Sequence, residues 1–213
     1  MTALVSTAYL PPVAYMAACV KCRDIVIETQ ETFPKETYRN RCCIAGPNGR
    51  QILVIPVIRP RRNHTPVKDI RTDPGQSWQK IHWRSIETAY NKSPFFLYYR
   101  DDLLPFFRTP WKFLLDLNTA ILESLFRMMR LDRVIAFTGT YESRPNVGQD
   151  LRVLLTSKHQ RIACPPYTQV FSMRLGFLPN LSIIDLLCNL GPESVGYLSA
   201  LPDPGTADPD LNQ

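Results

Sequence analysis

The sequence predicts a single α/β domain, and three stretches carry that prediction. Residues 2–28 pass from an apolar strand-like run through a loop and a short helical pattern into a second strand-like run, the signature of a compact βαβ opening and a parallel strand pair. Two β-rich runs then flank Pro47-Asn48-Gly49, a strong hairpin signal. From Ser77 to Arg130 apolar residues recur mainly at helical spacing. Together they predict a mixed sheet that starts with a βαβ unit, carries a β-hairpin insertion and is covered by a helical layer over residues 77–130. The domain is drawn as residues 1–200, with 201–213, acidic and proline-rich, expected to be disordered.

Taken in order, ALVSTA is the first strand, ended by Tyr9-Leu10-Pro11-Pro12. Val13 to Val20 read as a helix and Asp24 to Glu28 alternate as the second strand. Ligands of such sheets often bind where the first strand ends, so Tyr9 to Pro12 fall in a candidate site. The hairpin block begins with Arg39, Asn40 and Arg41, a fork suited to phosphate or carboxylate and equally suited to a solvated strand edge. Arg59 to Pro66 is the densest positive charge and reads as a loop.

Ser77 is placed as the N-cap of a helix in which Trp78, Ile81, Ser85 and Ala89 recur. Ser93 and Pro94 are placed at the start of a second helix, and Thr109-Pro110 before a third, from Trp111 to Arg130. Arg133 to Phe137 is a strand, and 138–166 has little pattern beyond a short element from Leu151 to Thr156 and a polar His159. Tyr167 to Phe171 alternates as a strand, Ile183 to Asn189 is a helix stopped by Gly191-Pro192, and another short helix covers Glu193 to Leu201.

Composition narrows the function. Lys and Arg exceed Asp and Glu by 25 to 19, a balance that suits an anionic small molecule and falls short of a saturated nucleic-acid-binding face. The longest apolar runs are shorter than the roughly 18 residues that cross a bilayer, and the first 20 residues lack a charged start, so a cytoplasmic location is expected. Six cysteines there are expected to be reduced. Cys19-x-x-Cys22 lacks the second pair of a zinc site, and Cys42-Cys43 does not supply it, so no metal and no cofactor is assigned.

His82 lies between Trp78 and Ile86 on a helix face, and two readings stay open: a core-boundary histidine, or an imidazole that exchanges a proton with a ligand. Asp185 interrupts the apolar run LSIIDLLCNL, where a carboxylate is costly unless paired, which points first to an anchor of the Asn180 turn.

Four separated blocks, AYLPPVAY, TYRNRCCIAGPNGRQILVIPV, WQKIHWRSIETAYNKSPFFLYY and YTQVFSMRLGFLPNLSIIDLLCNLGPES, resemble the WbqC-like protein family in content and order, over roughly residues 4 to 198. The particular form resembles the version found in Bacteroidetes. The resemblance implies a role in O-antigen or other surface-polysaccharide synthesis, a pathway more than a reaction. Its recurrent residues fall on Tyr9, Pro11 and Tyr15, on Asn40 and Arg41, on His82, Trp83 and Tyr90, on Gln169, and on Pro179, Asn180 and Asp185. Many family members carry His-Gln-Pro where this chain has Val5-Ser6-Thr7, which leaves His82 as the remaining base.

The leading expectation is a transferase that moves an acyl, aminoacyl or glycosyl group on a nucleotide-activated or amino sugar. Arg39 and Arg41 would hold phosphate, His82 would act as base, and Tyr9, Trp83 and Tyr167 would stack on sugar or nucleobase. The rival is a non-catalytic saccharide-binding or scaffold protein, in contact with other polysaccharide-assembly enzymes. A cysteine-nucleophile hydrolase is weaker, because no cysteine has an activating context.

Overall fold

A computed structural model describes residues 1–34, 36–58, 64–146, 148–152 and 163–203. The basic run Arg59 to Arg62, His159 and the tail from Pro204 lie outside the described residues.

β1 (Thr2–Ser6), α1 (Val13–Lys21) and β2 (Asp24–Glu28) form the expected βαβ unit, with β1 and β2 parallel in the register Thr2 to Asp24 through Ser6 to Glu28. Every residue of α1 except Lys21 is buried. A helix apolar on all sides needs cover on all sides; α1 meets two later helices, α6 (Ile183–Leu190) and α7 (Ser194–Ala200). β7 (Val134–Phe137) adds parallel to β2, and the unforeseen β8 (Gln149–Asp150) adds parallel to the other side of β1. The sheet order is therefore β7-β2-β1-β8, parallel throughout.

Apart from isolated bridges, the antiparallel strands among the described residues form two separate ribbons. β3 (Arg41–Gly46) and β4 (Gly49–Val54) form the hairpin. Gly46 pairs with Gly49, so Pro47 and Asn48 make the turn, and the positive φ of +116° falls on Gly49 alone of the Asn-Gly pair. β5 (Val57–Ile58) and β6 (Arg71–Thr72) form the second, unforeseen ribbon.

The helical layer is α2 (Trp78–Tyr90), α3 (Phe96–Arg108) and α4 (Leu114–Met128). Its starts differ from the expected ones. Ser77 makes no cap bond with its side chain, and Ser93 donates its hydroxyl back to the Tyr90 carbonyl, so Phe95 stands at the head of α3. α4 begins three residues late because residues 111–113 are held against the second ribbon, with Thr72 N–H on the Lys112 carbonyl and Leu114 N–H on the Ile70 carbonyl. Tyr167 to Phe171 is not a strand among the described residues; its polar groups are spent on side-chain bonds to Asp185 and Leu178, and α5 (Ser172–Leu175) follows.

One apolar core runs from Ala3 to Leu201 and joins all these layers except the outer face of the hairpin, where Cys43, Ala45 and Leu181 make a small cluster. All six cysteines are free thiols, and all but Cys164 are buried.

Candidate functional site at the carboxyl edge of the sheet

Because the four strands are parallel, their carboxyl ends, Phe137, Glu28, Ser6 and Asp150, lie along one edge. The chain leaves β1 toward β2 on one side and returns as β8 on the other, which makes the end of β1 a topological switch point, where open α/β sheets leave a crevice for ligands.

Charged side chains fill this edge. Arg39, 4% exposed, forks onto Glu31 with Nε to Oε1 at 2.8 Å and Nη2 to Oε2 at 2.6 Å. The same Nη2 donates to Ser6 Oγ at 2.7 Å, and Ser6 Oγ donates to Glu31 Oε2 at 3.0 Å. Arg39 Nη1 is buried and has no hydrogen-bond partner among the described residues. The Tyr15 hydroxyl donates to the Ser6 carbonyl at 3.0 Å, and Asn118 of α4 donates to the Arg39 carbonyl at 2.8 Å. These bonds fix both the strand end and the guanidinium.

Beside it, Glu28 is 1% exposed. Its Oε1 accepts from Gln30 N–H at 2.8 Å and Thr138 Oγ at 2.7 Å, whereas Oε2 meets, among the described residues, the looser Arg152 Nη1 at 3.4 Å. Arg152 gives its strong bonds to Asp150, at 2.9 and 2.6 Å, and to the Glu142 carbonyl at 2.8 Å, and its guanidinium lies over the Tyr141 ring. Its hydrogen bonds to Asp150 hold that carboxyl below the usual range.

Glu28, Thr138, Thr140, Glu142 and Asn146 line a cavity of about 330 Å³ floored by Leu4 and Val26. Carboxylates and hydroxyls around an apolar floor suit a hydroxylated or amine-bearing ligand, and the size lies at the small end of ligand pockets.

Of the residues expected to form a site with His82, Tyr9 meets it in packed, hydrogen-bonded contact. His82 is 3% exposed, and its Nδ1 shares a hydrogen bond of 2.9 Å with the hydroxyl of the fully buried Tyr9. Trp78 packs on both rings. Burial lowers the His82 pKa to about 4, against a smaller upward contribution from a hydrogen bond with the Val54 backbone. The ring is neutral and braces the first loop onto α2. Trp83 stacks with Phe96 and Phe107, and Tyr90 accepts from Ala45 N–H at 3.3 Å.

The late turn fastens the same loop from the other side. Asn180 Oδ1 accepts from Ala14 N–H at 2.9 Å, capping α1, which Pro12 does not do with its side chain. Ser182 Oγ donates to the Leu10 carbonyl at 2.8 Å, and the Ile183 N–H donates to the Pro11 carbonyl at 2.8 Å. Leu10 is held at φ +40° by these bonds and by Pro11, a conformation costly for a residue with a side chain. Replacing Asn180 by alanine should cost about 1–2 kcal/mol, as loss of a helix cap does, measured as a shift in the urea midpoint with unchanged slope.

Asp185, fully buried, accepts on Oδ2 from the Tyr167 hydroxyl at 2.6 Å and from Gln169 at 2.9 Å. Burial raises its pKa, while hydrogen bonding from Tyr167 and Gln169 and the nearby Tyr90 hydroxyl pull it back. Gln169 also bridges to both backbone groups of Leu178, so this carboxylate anchors the segment ahead of Asn180. Asn40 donates to the Ile55 carbonyl at 2.9 Å, and Arg41, at the start of β3, has a buried Nε without a hydrogen-bond partner among the described residues.

Thus Arg39 and Tyr15 lie in the edge network, whereas Tyr9, Pro11, His82, Asn180 and Asp185 build the frame behind it. Ser6, Glu28, Glu31, Thr138 and Arg152 did not stand out in the sequence. The available signal was polar residues at the ends of apolar strands, Ser6 after ALV and Glu28 after DIVI.

These features define an α/β protein with a polar crevice at the carboxyl edge of a small parallel sheet. The chain belongs to the WbqC-like protein family, whose model matches residues 7–161. It is 26% identical over 227 residues to the uncharacterized protein Rv1507c of Mycobacterium tuberculosis, an alignment covering 92% of this chain and 96% of that one. No solved structure matches. No helix among the described residues is long and apolar enough to cross a membrane.

Proposed function

We propose that this protein, as a family member of the form found in Bacteroidetes, serves cytoplasmic synthesis of surface polysaccharide, O-antigen or exopolysaccharide. In this reading it is a transferase that moves an acyl, aminoacyl or glycosyl group on a nucleotide-activated or amino sugar. The observation that carries it is Glu28: a carboxylate almost wholly removed from water, at the switch point, lining a cavity of ligand size. Burying such a charge is costly, and among the described residues its Oε2 has one long contact, which leaves it acceptor capacity.

Glu28 takes the proton of, or hydrogen-bonds to, an amine or hydroxyl of the sugar, a role first expected of His82. Glu142, Thr138 and Thr140 hold its other polar groups. Arg39 and Arg41 are assigned the cationic side for phosphate; Arg39 Nη1 and Arg41 Nε, both buried, have no hydrogen-bond partner among the described residues. His82 and Asn180 act at one remove, by fixing the loop that follows β1.

A second reading is a saccharide-binding or scaffold protein that works beside other assembly enzymes. It is favoured by the engagement of His82 with Tyr9 and Val54, and by thiols at Cys19 and Cys188 pushed up by burial, far from nucleophilic thiolates.

Incubation with nucleotide-linked amino sugars and acyl donors, read by mass spectrometry, separates the two. Product formation that falls about 10²-fold or more in Glu28→Gln supports the transferase. Binding without product supports the second reading, and product formation indifferent to Glu28→Gln contradicts the assigned role.

A further inference from the structure

A larger cavity, about 480 Å³, lies away from the sheet edge where three helix ends meet: the start of α3, the end of α4 and the turn after α6. Phe95, Tyr98, Tyr99, Met128, Met129 and Arg130 line it. Gly191, at φ +55°, forms the floor; a Cβ there would stand 2.5 Å from the Phe95 ring, so glycine lets that ring seat against the backbone. Phe95 is also pinned through its N–H to the Cys188 carbonyl at 3.0 Å. The Phe95 and Tyr98 rings lie 6.1 Å apart, and Tyr98 is 77% exposed.

Arg130 is the cavity's one cation among the described residues. It sits just past α4 at φ +56°, exposed, and makes no ion pair among the described residues. Its guanidinium lies near enough to Tyr99 to hold down a hydroxyl pKa that burial raises. No acidic residue stands in the first turn of α3 to compete for it.

We propose that this cleft binds a small planar aromatic carboxylate, its ring against Tyr98 and the two methionines and its carboxylate on Arg130. Ring faces and thioethers suit a flat π-system better than a flexible chain. A single guanidinium fork matches one planar carboxylate, whereas a phosphate usually gathers more cationic groups. This site is independent of the sugar site proposed at the sheet edge.

The test is calorimetric titration of the full chain with 2-naphthoate, with neutral 2-naphthol as the comparison. Saturable binding of 2-naphthoate is expected, about tenfold or more weaker for 2-naphthol and for Arg130→Gln, since each removes a charge-assisted contact. Tyr98→Ala should weaken it several-fold. Both substituted residues are exposed, and an unchanged melting temperature verifies each variant's fold. Absence of saturable binding, equal binding of 2-naphthol, or indifference to both substitutions overturns the proposal.

Discussion

Replacing Arg39 by methionine is expected to destabilise the fold by about 3–5 kcal/mol, because it strands the charge of Glu31 in a site that water barely reaches. The side chains of Arg39 and Glu31 are 5% and 11% exposed, and the guanidinium fork also holds Ser6 at the end of β1. A surface ion pair would contribute less than about 1 kcal/mol. The double replacement, Arg39→Met with Glu31→Leu, should return most of the loss, since neither charge is then left alone. Urea unfolding of the two single variants and the double variant closes the cycle. Additive small losses would show that the pair is solvated and that Ser6 is positioned by something else.

The second large effect is acid sensitivity from His82. Its folded pKa of about 4 lies below the ordinary 6.5, so between these values the unfolded chain takes up a proton that the folded chain refuses. The stability it protects is complete above pH 6.5 and is lost as pH falls toward 4, by about 3 kcal/mol over that window. His82→Phe should be less stable than the parent at pH 7, having lost the Tyr9 and Val54 partners, and the gap should narrow as the solution is acidified. Asp185 works in the opposite sense: its raised pKa makes its burial easier as pH falls, so only the difference between parent and variant isolates the imidazole. A gap that stays constant from pH 7 to pH 4 would mean that the ring is solvated and titrates normally.

Much of the fold could be read from local pattern. The βαβ opening, the hairpin and the bodies of the three long helices follow from alternation, turn residues and apolar spacing, all of which act within a few residues. Helix starts were less legible, because Ser93 and Ser77 have the right chemistry for caps but their hydroxyls do not cap the following helices. The cap that α1 does use, Asn180, lies 166 positions away.

The candidate site was legible only in outline. The end of the first strand was singled out, and Arg39 was noticed, but its carboxylate partner is in a loop without periodicity. Glu28 looked like the polar end of a strand. It becomes unusual only once the parallel register sets it beside Ser6 and β7 brings Thr138 alongside. Arg152 follows β8, a strand of two residues too short to leave a pattern. Aromatic density around His82 marked the core that holds the site in place, because rings and buried histidines serve packing as readily as ligands.

The most direct measurement is a titration of isotope-labelled protein with a nucleotide-linked glucosamine, followed by backbone amide shifts. The amides of Thr29, Gln30, Thr138 and Gly139, which surround Glu28, should move together and saturate at one ligand concentration, and Glu28→Gln should abolish the movement. Saturable shifts confined to another face, or no shifts with any nucleotide-linked amino sugar tried, would contradict a sugar site at the carboxyl edge of the sheet.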